Sequence, residues 1–84
     1  MQYHISEDII VRNLGDGEFS IINARAGKVL FLNETAFNIF SSMDGKTFEE
    51  IILGLSLKYN ISANFIIDDV KQTIQDFVKN GIAE

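Results

Sequence analysis

Residues 27–47 read GKVLFLNETAFNIFSSMDGKT. The run KVLFL at 28–32 is β-branched, aromatic and long aliphatic, with Gly27 before it and Asn33 after it, and it predicts a strand. Beyond Asn33 the apolar period changes from two to three and four. Ala36, Phe37, Phe40 and Met43 fall on one side of a helix over 35–43. The Asn33 side chain is suited to accept from the free amides at that helix's start, and Asp44 and Gly45 close the segment. The stretch holds almost nothing that could do chemistry. Its strand is therefore either plain core or a backbone edge offered to another chain.

Two further strands precede it. DIIVRN at 8–13 and EFSII at 18–22 are short, strand-forming runs separated by LGDG (14–17) and NARAG (23–27). Both separators are too short for a parallel crossover, so the three strands form an antiparallel meander. Strand three is then an edge unless something covers it.

Downstream the chain is helical. Thr47 followed by Glu50 matches a capping box, in which hydroxyl and carboxylate satisfy each other's free backbone donors. Ile51, Ile52, Leu55 and Tyr59 then form the apolar stripe of helix two, with Gly54 a mild internal cost. Helix three is expected over 64–80, ended by Gly81. Ile66, Ile67, Val70, Ile74, Phe77 and Val78 share one side of it, a stripe of roughly 140° where about 100° suffices for packing on one core. Contact with both the sheet and another helix accounts for that width. So does an exposed strip.

At 84 residues the chain is expected to be one domain over 1–84, with a modest core and no room for a deep active site. Its 46% hydrophobic content and nine aromatics mark a folded domain. No apolar run is long enough to span a membrane, and the N-terminus lacks the order of a signal peptide, so the expected compartment is the cytoplasm. The absence of cysteine removes disulfides, thiolate nucleophiles and Cys-ligated zinc. Twelve acids against seven scattered bases, a net charge of −5, argue against nucleic acid as a partner.

No catalytic constellation emerges, and no cofactor or metal is expected. His4 is the single histidine and sits in a polar segment without a partner. Asp68 and Asp69 are adjacent on a helix and point about 100° apart, which suits a solvated helix start better than a shared proton or metal. The glycines lack a phosphate-cradling spacing and fall mostly at turns or caps. The chain is not expected to be an enzyme.

Three segments taken together resemble a known family. GKVLFLNETAFNIF, DGKTFEEI and DDVKQTIQDFVKNGIA occur here in the order and spacing of the PqqD-like family, the coenzyme PQQ synthesis protein D group and its relatives known as RiPP recognition elements. The resemblance runs from about Asp8 to Glu84. Thr73 departs from it, since the family more often carries a larger apolar residue there. The resemblance implies an α+β, winged helix-turn-helix-like fold, a three-stranded antiparallel sheet followed by three helices. It also implies a peptide-binding module that holds the leader segment of a ribosomally made precursor and presents it to modifying enzymes.

In the family the leader adds as a strand along strand three and packs toward helix three. The run Lys28, Val29, Leu30, Phe31 and Leu32 would then offer its backbone edge, by β-augmentation. Val70, Thr73 and Phe77, on one ridge of helix three, would line the groove, with Asp69 placed to accept from a leader donor. The competing reading of each apolar member is core. Expected partners are a precursor leader peptide and a maturation enzyme, either a radical enzyme as in PQQ formation or a leader protease and cyclase as in lasso peptide pathways. Two other readings stand beside this one. Strand three could pair with its own copy in a structural homodimer, or the fold could serve a winged-helix DNA-binding regulator, against which Asp68, Asp69 and Asp76 on helix three weigh.

Overall fold

The computed structural model describes residues 1–84. Strands β1 (Ile9–Gly15), β2 (Glu18–Asn23) and β3 (Lys28–Asn33) form one antiparallel sheet in the order β1-β2-β3, the expected meander. β1 runs two residues further than its apolar pattern, to the turn itself. There Asp16 and Gly17 both take positive φ (55° and 76°) between the paired Gly15 and Glu18, the two-residue geometry whose twist matches that of the strands.

Helices α1 (Glu34–Ser42), α2 (Phe48–Tyr59) and α3 (Ile67–Lys79) follow. α1 starts one residue after β3, and the Asn33 side chain accepts from Ala36 N at 2.8 Å, as its position predicted. The capping box of α2 is complete. Thr47 N donates to Glu50 Oε1 at 2.9 Å and Glu50 N to Thr47 Oγ1 at 3.2 Å. The Thr47 backbone N–H first, and the Thr47 hydroxyl after it, hold the Glu50 carboxyl below the usual glutamate range.

α3 begins three residues later than expected. A 3₁₀ turn at Ala63–Phe65 comes first, Ile66 N donates to Ala63 O at 3.1 Å, and Ile66 at φ −118° interrupts the run before the helix proper.

The helices cover one face of the sheet. Leu30 and Leu32 of β3 turn toward them, Leu32 buried, while Val29 and Phe31 turn outward. Ile21, Ile39, Met43, Ile51, Leu55, Val70, Ile74 and Phe77 fill the space between. Ile39, absent from the expected α1 face, is the one residue of that helix itself that is buried. An aromatic chain ties the layers together: Phe19 of β2 stacks on Phe37 at 3.9 Å between centroids, Phe37 neighbours Phe40, and Phe40 meets Phe77 of α3 edge-on at 6.0 Å. The molecule is 36 × 33 × 17 Å, so it is one sheet and one helical layer thick.

The N-terminal residues are part of this architecture. His4 exchanges backbone hydrogen bonds with Glu84, Ser6 N donates to Ile82 O, and Tyr3 exchanges bonds with the Gly45 and Lys46 backbone. Ile5 bridges Ala83. Residues 3–6 thus run as a strap between the α1–α2 loop and the C-terminal tail. His4 acts here through its backbone, which a reading of side-chain chemistry does not show. No helix is long and apolar enough to cross a membrane.

Candidate peptide-binding site

Because β2 lies between β1 and β3, one side of β3 has no strand partner. In an antiparallel strand alternate residues direct both N–H and C=O to one side, so this edge presents a regular series of free donors and acceptors. α1 leaves directly from the end of β3, and α3 lies beside both. Two hollows occupy the angle between them.

The larger, about 430 Å³, lies between α1, α2 and α3 and is bordered by Asn33, Ala36, Tyr59, Ile66, Asp69 and Thr73. The smaller, about 210 Å³, lies against β3 and is bordered by Leu30, Phe31, Asn33, Thr73, Asp76 and Phe77. Asn33, Ala36 and Thr73 belong to both, so the hollows join at these residues into one groove along α3.

The anticipated residues divide within this groove. Thr73, half-buried, stands at its centre, and its hydroxyl is turned back to Asp69 O at 2.9 Å. Asp69 is exposed in the first turn of α3 and lines the larger hollow. Leu30, Phe31 and Leu32 line the smaller one. Val70 and Phe77 are 3% and 1% exposed, so they form the floor and can be touched only by a group that reaches into the hollows. Lys28 and Val29 border neither hollow. Both are exposed on β3, Val29 on the sheet's outer face beside its cross-strand partner Ile22.

Asn33, Ala36, Tyr59, Ile66 and Asp76 were not anticipated. The spacing of α2 places Tyr59 on its apolar stripe. It is 43% exposed, and its hydroxyl accepts from the Asn38 side chain. Asn33 and Ala36 had a signal: they flank the strand-to-helix junction that a guest beside β3 would meet. Tyr59 and Ile66 had none, since they reach the groove through the packing of α2 on α3.

The profile of coenzyme PQQ synthesis protein D (PqqD) matches residues 18–83. The chain belongs to the PqqD family. The matched segment of this PqqD-family chain begins at β2, so β1 and the strap lie outside it. A complex of TbiB1 with the TbiA(beta) leader peptide is similar in structure, at 20% identity and a TM-score of 0.79 over 96% of this chain and 94% of that one. A lasso peptide synthetase B1 complexed with its leader peptide is similar at 21% identity and a TM-score of 0.77, over 100% and 99%. Both likenesses are of fold. No curated protein matches the sequence.

The electrostatics of the groove are simple. Asp69 and Asp76 lie along it with no salt bridge to a base. No cluster of His, Cys, Asp or Glu is arranged to hold a metal ion. The groove offers apolar hollows, a polar rim and a strand edge, features suited to binding over catalysis.

Proposed function

We propose that this PqqD-family chain is a non-catalytic recognition domain that takes the leader segment of a ribosomally made precursor peptide as a fourth strand on β3. The observation that carries this reading is the unpaired β3 edge running beside an apolar groove along α3. The edge supplies affinity that does not depend on side chains. The hollows supply selection at every second residue, because alternate side chains of a guest strand point into the groove. The others extend the outer face, beside Val29 and Phe31. Lys28, Val29, Leu30, Phe31 and Leu32 are the strand's contribution, and Asp69, Val70, Thr73 and Phe77 that of α3.

The acidic rim favours a leader with some Lys or Arg, through association rate more than affinity. The same rim disfavours duplex DNA, since α3 would bring Asp68, Asp69 and Asp76 toward phosphates. The solved complexes of similar fold hold leader peptides, which agrees with this reading. The enzyme served would be a radical enzyme or a leader protease acting on the held precursor.

Titrating isotope-labelled protein with the leader peptide of the precursor encoded beside it tests the proposal. Amide shifts should gather on residues 28–33 and on the α3 rim around Asp69 and Thr73. Saturating shifts that spare β3 would refute strand addition. A β3-to-β3 homodimer would instead be dissolved by the leader, which sedimentation with and without peptide would show.

A further inference from the structure

Helix α2 is apolar on two opposite sides. Ile51, Ile52 and Leu55 are buried, and the direction away from them is held by Leu53 and Leu57, 62% and 74% exposed. A single exposed leucine on a helix is ordinary. Two of them, four residues apart at the centre of the solvent face, make a ridge.

Beside the ridge runs a second row at the same spacing: Glu50, Gly54 and Lys58, all exposed. Nothing inside the chain explains Gly54. Its φ is not positive, and a Cβ placed there would meet nothing within 4 Å. Glycine in the interior of an exposed helix weakens it relative to alanine. A helix surface without a side chain there lets a second backbone approach closely.

The charges in the row are ordered for pairing with themselves. A two-fold axis through Gly54 sets two α2 helices antiparallel and brings each residue opposite the one equally far beyond the glycine. Glu50 then meets Lys58 of a second copy, twice, and glycine meets glycine at the crossing. The leucine ridges interdigitate, as rows of i±4 spacing do. Glu50 Oε1 is held by Thr47 N, which leaves its other oxygen for the ammonium group. A parallel pairing would set Glu50 against Glu50 and Lys58 against Lys58.

We infer that the α2 face bearing Leu53, Gly54 and Leu57 is a self-association surface, on which two copies of this chain pack antiparallel with Gly54 at the crossing point. This face points away from Leu55 and Tyr59, which border the groove. Pairing here leaves both β3 edges and both grooves open, so the inference stands apart from the peptide-binding reading. One helix face is a small interface, and the association is correspondingly weak.

Sedimentation of the full chain over a wide concentration range tests it. The wild-type chain should pass from monomer to dimer, and Leu57→Glu and Gly54→Gln should each weaken the dimer at least about tenfold. Gly54→Gln should at the same time raise the thermal midpoint of the monomer, because the helix gains while the crossing is blocked. The chain has no cysteine, so Gly54→Cys gives a register test: under mild oxidation it should cross-link far faster than Asn64→Cys. A wild-type chain that stays monomeric throughout overturns the inference. So does a dimer untouched by both variants, or equal cross-linking of the two cysteines.

Discussion

The side-chain amide of Asn23 donates to the carbonyl oxygen of Gly81 at 2.9 Å, joining the β2–β3 turn to the end of α3. The other end of the same side chain accepts from Ala26 N at 3.1 Å, so one buried residue shapes the turn and fastens it to the helix. Gly81 sits at φ 71°, and a Cβ there would lie 2.7 Å from Asn23 Nδ2. Gly81→Ala is expected to cost about 1–3 kcal/mol through backbone strain and loss of this contact. Asn23→Ala should cost about 1 kcal/mol, because Ser6 Oγ still donates to the Gly81 carbonyl at 2.7 Å. Urea unfolding measures both, and the double variant Asn23→Ala/Ser6→Ala should lose more than the sum of its singles.

Phe31 is 76% exposed and Val29 49%, whereas Ile51 and Leu55 are 1% and 4%. Val29→Glu and Phe31→Glu should leave stability within about 0.5 kcal/mol of wild type and weaken leader binding at least about tenfold. Ile51→Asp should cost more than about 4 kcal/mol, which is most of the margin of a small domain. Circular dichroism with a binding titration separates the two sets. Equal unfolding by both would show that the outward face of β3 is structural.

Thr73 belongs to both hollows, and only a methyl and a back-bonded hydroxyl occupy its place. Thr73→Phe should fill their junction and lower leader affinity about tenfold or more, with a change in stability below about 1 kcal/mol. Thr73→Ser should bind as wild type. Calorimetric titration of both variants distinguishes a groove that needs this space from one that does not.

The lowered carboxyl of Glu50 ties α2 to pH. A group whose folded pKa is depressed adds stability above its unfolded pKa and loses it as pH falls through the folded one. The first turn of α2 should therefore loosen as pH drops through and below the ordinary glutamate range. Glu50→Gln should remove this dependence while keeping an acceptor for Thr47 N. Amide exchange at residues 47–50 as a function of pH follows it directly.

Much of this was legible because local signals agreed. Asn33, the Thr47/Glu50 box and Gly81 each stated an end of a helix in one or two residues, and the structure uses all of them. The alternation in KVLFL sets Leu30 and Leu32 on one face and Val29 and Phe31 on the other, and the structure turns the first pair toward the helices. The misreadings are tertiary. Nothing local marks the 3₁₀ turn before α3, because the apolar period of Ile66 and Ile67 is as good for a continuous helix. Val70 and Phe77 look alike as groove lining and as core, and only the packing of α1 on α3 shows that they are the floor. The strap of residues 3–6 is held by backbone bonds, which leave no trace in side-chain pattern.

The open edge of β3 also governs how this protein behaves as a colloid. Six residues of strand open along one edge, with Lys28 their single charge, are a template for stacking one molecule on the next, and at neutral pH the net charge of −5 opposes that encounter. Near pH 4.7 the repulsion vanishes. Solubility should then reach its minimum, with aggregates that bind cross-β dyes, and a ligand seated on β3 should suppress them. Turbidity against pH, with and without leader, would show a guest strand acting as a solubiliser of its host.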